Sequence, residues 1–325
     1  MNFQVKILLE TFVLTVVIAL LVIPILKKLK IGQIEREDGP KSHLKKQGTP
    51  TMGGIIIIIA IIIMTIVSYI YYVGRSPEIA NKILPLCIVA VGFGSIGLID
   101  DFKKLVLKNT DGLKPSYKMV GLLIVSVIYV IYLIEGANLG TETYIPIIKT
   151  YITIPLWLYI PSAIFVMLAT TNAINLTDGI DGLSTTVCII IIACLTVIGI
   201  TFGITEIAIF GSVLCGACLG FLMFNLNPAK VFMGDTGSLM LGGVIVAISL
   251  YLKMPLILLV IAFIPVVETL SVMIQVAYFK KTGKRVFKMA PLHHHFELSG
   301  WRESQILATF SIITLILCII GLKII

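Results

Sequence analysis

"MGGIIIIIAIIIMTIVSYIYYV", residues 52–73, carries no charged side chain. As a helix rising 1.5 Å per residue it would run about 33 Å, enough to cross the hydrocarbon core of a bilayer, which takes about 20 apolar residues. Nine further runs of this character lie at 10–27, 82–100, 119–135, 156–174, 185–203, 207–225, 237–253, 255–277 and 304–323. The composition agrees: the 325 residues are 58% hydrophobic and 13% charged, where soluble domains average about 25% charged. Mean hydropathy is +1.06. The reading is an all-α, polytopic integral membrane protein with about ten transmembrane helices, forming one membrane-embedded domain over 1–325 with no soluble appendage.

The first run continues into "IPILKKLK" with no small-residue cleavage site and reads as a retained span. Cys87, Cys188, Cys194, Cys215, Cys218 and Cys318 all fall in apolar spans, which argues against disulfides; Cys215-x-x-Cys218 reads as two small packing residues. "TYIPIIKTYITIP", 143–155, is rich in β-branched and aromatic residues and suggests a small hairpin. Pro265 predicts a kink or break in the ninth span. Glu268 beside it is an ionisable group at membrane depth, and therefore a candidate functional residue.

Alternate loops at 27–50, 100–118, 226–236 and 279–303 hold 19 of the 25 Lys and Arg residues. That asymmetry puts those loops in the cytoplasm and both termini outside, in a cell-membrane protein. The formal charge of +8 is thus gathered on one face, where it would attract lipid headgroups or a phosphorylated soluble ligand. Nucleic acid is a poor partner, because there is no soluble domain to dock it.

The same face collects the polar motifs. "GLIDDFKK" follows the third span, "NLTDGIDG" the fifth, "NLNPAKVFMGDTGS" the seventh and "KMAPLHHHFELSGW" the ninth. The outer turns "GITE" and "KMPL" carry nothing comparable. Asp100 and Asp101 oppose the dipole at the C-terminal end of their span by about 0.3–1 kcal/mol each, and Lys103 and Lys104 could compensate them. Asp178, Asp181 and Asp235 precede spans, where aspartate serves as an N-cap. Capping explains one carboxylate but not Asn175, Asp178 and Asp181 together with Gly179 and Gly182, which suit a backbone approached closely by an anion. Three adjacent histidines, His293, His294 and His295, do not readily face one metal and fit hydrogen bonding to phosphate or sugar oxygens better; a solvated loop is the plain alternative. "GFGSIG", 92–97, matches a dinucleotide fingerprint but lies inside a span with no preceding strand, so it reads as small residues that let helices approach. Carboxylates beside Lys and His at a membrane face suggest Mg²⁺-dependent chemistry on phosphates.

"TPTMGG", "DDFKK", "NLTDGIDG", "FNxxPAxxFMGDTGS" and "APLHHHFE" together resemble the phospho-N-acetylmuramoyl-pentapeptide transferase family, a branch of the polyprenyl-phosphate N-acetylhexosamine-1-phosphate transferases. The likeness runs from about 36 to 303. It implies Mg²⁺-dependent transfer from UDP-N-acetylmuramoyl-pentapeptide to undecaprenyl phosphate, giving lipid I and UMP, the first membrane step of peptidoglycan synthesis. It further implies a homodimer, a bent ninth span beside a lipid groove, and inhibition by uridine-peptide natural products. Carried onto this chain, it makes Asp235 the Mg²⁺ ligand, and Asp100, Asp101, Asp235 and His293 the catalytic set. Asn175, Gly179, Ile180, Asp181 and Phe232 would line a uridine pocket. Asp178, Asn225, Lys118, His294 and His295 would surround the diphosphate and sugar, with Lys46 added from the loop before "TPTMGG". Ile180 replaces an expected Leu, and Leu122 an expected Gln. A sister enzyme using UDP-N-acetylglucosamine, or an ion-coupled transporter, are the alternatives.

Overall fold

The computed structural model describes residues 3–29, 48–105 and 112–325. Ten of its helices are long and apolar enough to cross a membrane. In chain order they are α1 (Phe3–Lys28), α2 (Gly54–Val73), α3 (Pro77–Leu105), α4 (Pro115–Ile131), α5 (Leu156–Thr177), α6 (Leu183–Thr201), α7 (Thr205–Asn225), α8 (Gly234–Tyr251), α10 (Phe263–Thr282) and α12 (Glu303–Ile324). Two short helices complete the set, α9 (Leu258–Ile261) and α11 (Leu292–Glu297). Each expected span has its helix. The hairpin is present as β1 (Glu142–Ile145) against β2 (Thr150–Thr153), antiparallel with Glu142 opposite Thr153.

The ninth span is broken rather than bent. A tight turn at Pro255–Ile257 and the single turn α9 lead to Ala262, which leaves helical geometry at φ −103°, ψ 27°. Pro265 explains the break: its ring has no N–H for the Ile261 carbonyl and would collide with it, so the chain restarts with Pro265 in the first turn of α10. α3 outruns its expected span at both ends, and its last two turns carry Asp100, Asp101 and Lys104.

α8 is buried along almost its whole length, while α10 is the most exposed of the spans. Close packing around α8 depends on missing side chains. A Cβ at Gly97 of α3 would collide with the carbonyl of Asp235, one at Gly243 with the ring of Phe93, and one at Gly54 with the backbone of Gly237. The glycine cluster at 92–97 is thus a helix-packing seam, and it sets the end of α3 against the start of α8. The six thiols are free and buried, Cys215 and Cys218 among them.

The two faces of the bundle are distinct. Tyr144 N–H donates to the Lys253 carbonyl at 2.7 Å and Ile147 N–H to that of Ile324 at 3.0 Å, placing the hairpin beside the C-terminal end. Phe3 stacks on Tyr71 with ring centroids 4.6 Å apart, bringing the N-terminal end to the same face. The starts of α2 and α8 meet on the opposite face.

Candidate functional site

The frame of the site is a backbone clasp between "PTMGG" and "FM". Phe232 N–H donates to the Pro50 carbonyl, Gly53 N–H to that of Phe232 and Gly54 N–H to that of Met233, at 2.8, 2.8 and 2.9 Å. Only glycine fits at position 54 against Gly237, so the motif reads physically as a latch that seats the first turn of α8.

Asp235, in that turn, is the hub. Its Oδ2 accepts from Lys104 Nζ and Lys118 Nζ, both at 3.0 Å, and its Oδ1 from Asn175 Nδ2 at 2.8 Å. Asn175 also reaches Ser238 Oγ at 2.8 Å. Asp100 lies beside Asp235 and shares its lysines: Lys104 Nζ is 2.6 Å from its Oδ2 and Lys118 Nζ 3.9 Å. Its Oδ1 accepts from Leu113 N–H at 2.7 Å. Gly112, at φ +64°, makes that approach possible, since a Cβ there would meet Asp100 Oδ1 at 2.7 Å. Four spans, α3, α4, α5 and α8, therefore deliver Asp100, Lys104, Lys118, Asn175 and Asp235 to one place. Lys104 is absent from the residues read out of the sequence as site candidates. Its signal was there, four residues after Asp100 on one helix face.

Three of the candidates turn inward. Asp101 is buried, with Oδ1 accepting from Asp235 N–H at 3.1 Å and Oδ2 from Thr236 N–H and Oγ1 at 2.9 and 2.6 Å. It caps α8 from another helix, satisfying backbone donors that no intrahelical carbonyl can reach. A carboxylate that opposes the dipole of α3 thus lies at the favourable end of α8. Asp181 is buried too, and its Oδ2 takes hydrogen bonds from Asn227 Nδ2 and Ala229 N–H, both at 3.0 Å. Asn225 accepts from Thr185 Oγ1 at 2.7 Å and donates to the Val231 carbonyl at 3.0 Å. Asp101, Asp181 and Asn225 hold the loop and helix end that carry Phe232 and Asp235. The start of α6 is formed by Gly182 in a left-handed conformation, a residue with no side chain to cap it.

Asp178 differs from its neighbours. Part of it reaches the surface, yet its carboxylate accepts no hydrogen bond from the described residues. Burial first, then the charges of Asp235, Asp101 and Asp181, push its pKa up to about 8. Gly179 follows it and abuts His293 Nε2, while Ile180 is buried. Phe232 is half-buried at the latch.

The triple histidine splits three ways. His293 is fully buried, with Nδ1 3.2 Å from Glu268 Oε2. His294 Nδ1 lies 2.8 Å from Glu297 Oε2, and His295 Nδ1 accepts from Lys288 N–H at 3.1 Å. Three adjacent rings with three separate partners do not converge on one ion. Leu122 is wholly buried, which leaves no polar task at that position. Lys46 lies outside the described residues.

Among the described residues, no three His, Cys, Asp or Glu side chains come close enough to cage a metal. A hard divalent cation needs no such cage, since one or two carboxylates plus substrate oxygens suffice. The site fits that demand. Asp100 and Asp235 share the two lysines, Asp101 and Asp181 are turned onto other donors, and Asp178 is the carboxylate that lacks both a cationic and a hydrogen-bonding partner among the described residues.

The profile of Glycosyl transferase family 4 matches residues 83–253, just over half of the chain. The phospho-N-acetylmuramoyl-pentapeptide-transferase signature 1 matches residues 46–58, which include the glycine latch. Over 96% of its length the chain is 49% identical to the phospho-N-acetylmuramoyl-pentapeptide-transferase of Acetivibrio thermocellus, covering 92% of that protein. It is 46% identical to that of Clostridium novyi, with 99% of this chain and 96% of that protein covered. For that of Caldicellulosiruptor bescii the identity is 46%, over 97% and 95%. An Asp–Lys–Asp cluster at one end of a ten-helix bundle, a glycine latch inside the signature and near full-length identity give one conclusion: the chain belongs to the phospho-N-acetylmuramoyl-pentapeptide-transferase family.

Proposed function

We infer that the protein transfers phospho-N-acetylmuramoyl-pentapeptide from its UDP carrier to undecaprenyl phosphate, releasing UMP and forming lipid I. The observation that carries this reading is the Asp100–Lys104/Lys118–Asp235 cluster at a membrane-face end of four spans. A soluble nucleotide donor and a membrane-bound acceptor can both reach such a place. The positive-inside asymmetry supports a cytoplasmic position for this face in a cell-membrane protein, with the whole chain acting as one transferase domain.

The chemistry asked of the protein is modest. Phosphoryl transfer relies mainly on positioning and on neutralising charge. The acceptor phosphate monoester has a second pKa of about 6, so much of it is dianionic at neutral pH and needs no base. Lys104 and Lys118 present two ammonium groups to the phosphates. Asn175 fixes one oxygen of Asp235 and thereby its rotamer. Asp100 shares Lys104 with Asp235, with both of its oxygens engaged. Asp235 and Asp178 would hold Mg²⁺, which when bound supplies positive charge to the diphosphate. Asn175, Gly179, Ile180 and Phe232 would flank the uridine. The homodimer, the lipid groove beside the broken ninth span, and recognition by uridine-peptide inhibitors are part of the same proposal.

Purified enzyme in detergent, given undecaprenyl phosphate and either UDP-N-acetylmuramoyl-pentapeptide or UDP-N-acetylglucosamine, tests it through UMP release. The muramoyl donor should turn over with Mg²⁺ and stop on chelation. Turnover confined to the glucosamine donor would assign the sister activity. Solute uptake by liposomes without lipid product would point to a transporter.

A further inference from the structure

Glu268 is a carboxylate in the membrane that the transferase chemistry above leaves unused. It is buried on α10, just past the break at Ala262 and Pro265. Burial of a charge is costly unless it is paired and hydrogen-bonded. Both of its oxygens are directed at one residue: Oε2 lies 3.2 Å from His293 Nδ1, and Oε1 accepts His293 N–H at 3.2 Å. An ionised carboxylate can only accept, so the imidazole proton sits on Nδ1. The other ring nitrogen, Nε2, is buried and has no hydrogen-bond partner among the described residues. It abuts Gly179, where a Cβ would collide with it. A buried nitrogen left bare is costly, because the water it gave up is not replaced by another partner. Such a cost is offset where a ligand supplies the missing partner.

We propose that Glu268 is a positioning residue for the transferase reaction: it fixes the tautomer and the aim of His293, so that Nε2 faces the donor substrate beside Gly179. The inference rests on the transferase reading. Glu268 grips the ring and the backbone of His293 together, so the imidazole is held by α10 rather than by its own short helix. Two turns further along the same stripe, Gln275 Oε1 accepts Val286 and Phe287 N–H at 2.9 and 3.0 Å, and its Nε2 donates to the Phe287 carbonyl at 3.1 Å. The connection from α10 to α11 is therefore anchored at both ends by one helix face.

The test is a double-mutant cycle on the full-length enzyme, run once the wild type has shown UMP release. Glu268→Gln keeps the volume but has one accepting oxygen, and its amide would donate to Nδ1 and drive the ring proton onto Nε2. Glu268→Asp keeps two accepting oxygens. His293→Asn keeps a donor where Nδ1 stood and deletes Nε2. For Glu268→Gln we expect kcat to fall about 10–100-fold with KM for the donor within about threefold. Glu268→Asp should recover part of that loss, and adding Glu268→Gln to His293→Asn should cost less than about twofold more. Wild-type kcat in Glu268→Gln, a loss confined to KM, or losses that multiply in the double variant would overturn the proposal. If Glu268→Gln does not fold, the same cycle is read with Glu268→Asp. An inactive wild type would instead remove the transferase reading itself.

Discussion

At the scale of single residues, the aspartates divide by what touches them. Asp100 has both oxygens engaged, one by Leu113 N–H and one by Lys104, and so is placed to organise charge rather than to accept a substrate proton. Asp100→Asn should lower kcat by about 100-fold or more, with the loss flat from roughly pH 6 to 9. Recovery of the mutant's rate at high pH would instead make Asp100 a base. Asp178 supports a stability prediction. Burial and the neighbouring carboxylates push its pKa in the folded protein up to about 8, well above the ordinary carboxylate range, so folding favours its protonated form. Its contribution is therefore fully present below about pH 4 and is lost as the pH rises through 8. In metal-free enzyme, Asp178→Asn should melt with the wild type near pH 5 and a few degrees above it at pH 9, while turnover falls. Added Mg²⁺ should shrink the gap at pH 9. A gap that does not change with pH would show that Asp178 meets no repulsion.

At the scale of elements, the α3–α8 seam decides where Asp235 stands. Gly97→Ala would push a methyl group into the Asp235 carbonyl, and backbone cannot step aside as a flexible side chain does. The expected cost is about 1–3 kcal/mol, with turnover lowered more than tenfold because the hub carboxylate shifts. Gly74→Ala is the control, since a Cβ there meets nothing within 4 Å and its φ is −88°. Thermal unfolding and UMP release on both variants decide the matter; equal behaviour would remove the seam from the account. The seam also marks what the sequence made legible. Spans, hairpin and the break near Pro265 follow from local patterns. The capping of α8 by Asp101 joins residues 134 apart, and no local pattern announces such a partner. Asp178, Asp181 and Asp235 each look like N-caps in sequence. In space the start of α8 is capped from α3, and α6 begins at Gly182, a left-handed glycine rather than an aspartate.

At the scale of the molecule, two faces are separated by the bundle, and the chain carries its own controls for telling them apart. All six native thiols are buried, so a membrane-impermeant maleimide should leave the wild type unlabelled in cells. Lys149→Cys, exposed on the hairpin, should label from outside, and Lys284→Cys, exposed beyond α10, after permeabilisation. The reverse pattern would invert the orientation and place the acidic cluster outside. The gathering of aspartates at one face was legible because loops alternate sides in any helical bundle. Which lysine serves which carboxylate was not, because that depends on how four helices lean together. The glycine contacts have one more consequence. Because the acidic centre is aligned by main chain meeting main chain, its accuracy does not depend on which aliphatic side chains coat the outside. Exchanges among Ile, Leu and Val along the lipid-facing perimeter leave that alignment untouched, while a single added methyl group at the seam displaces it.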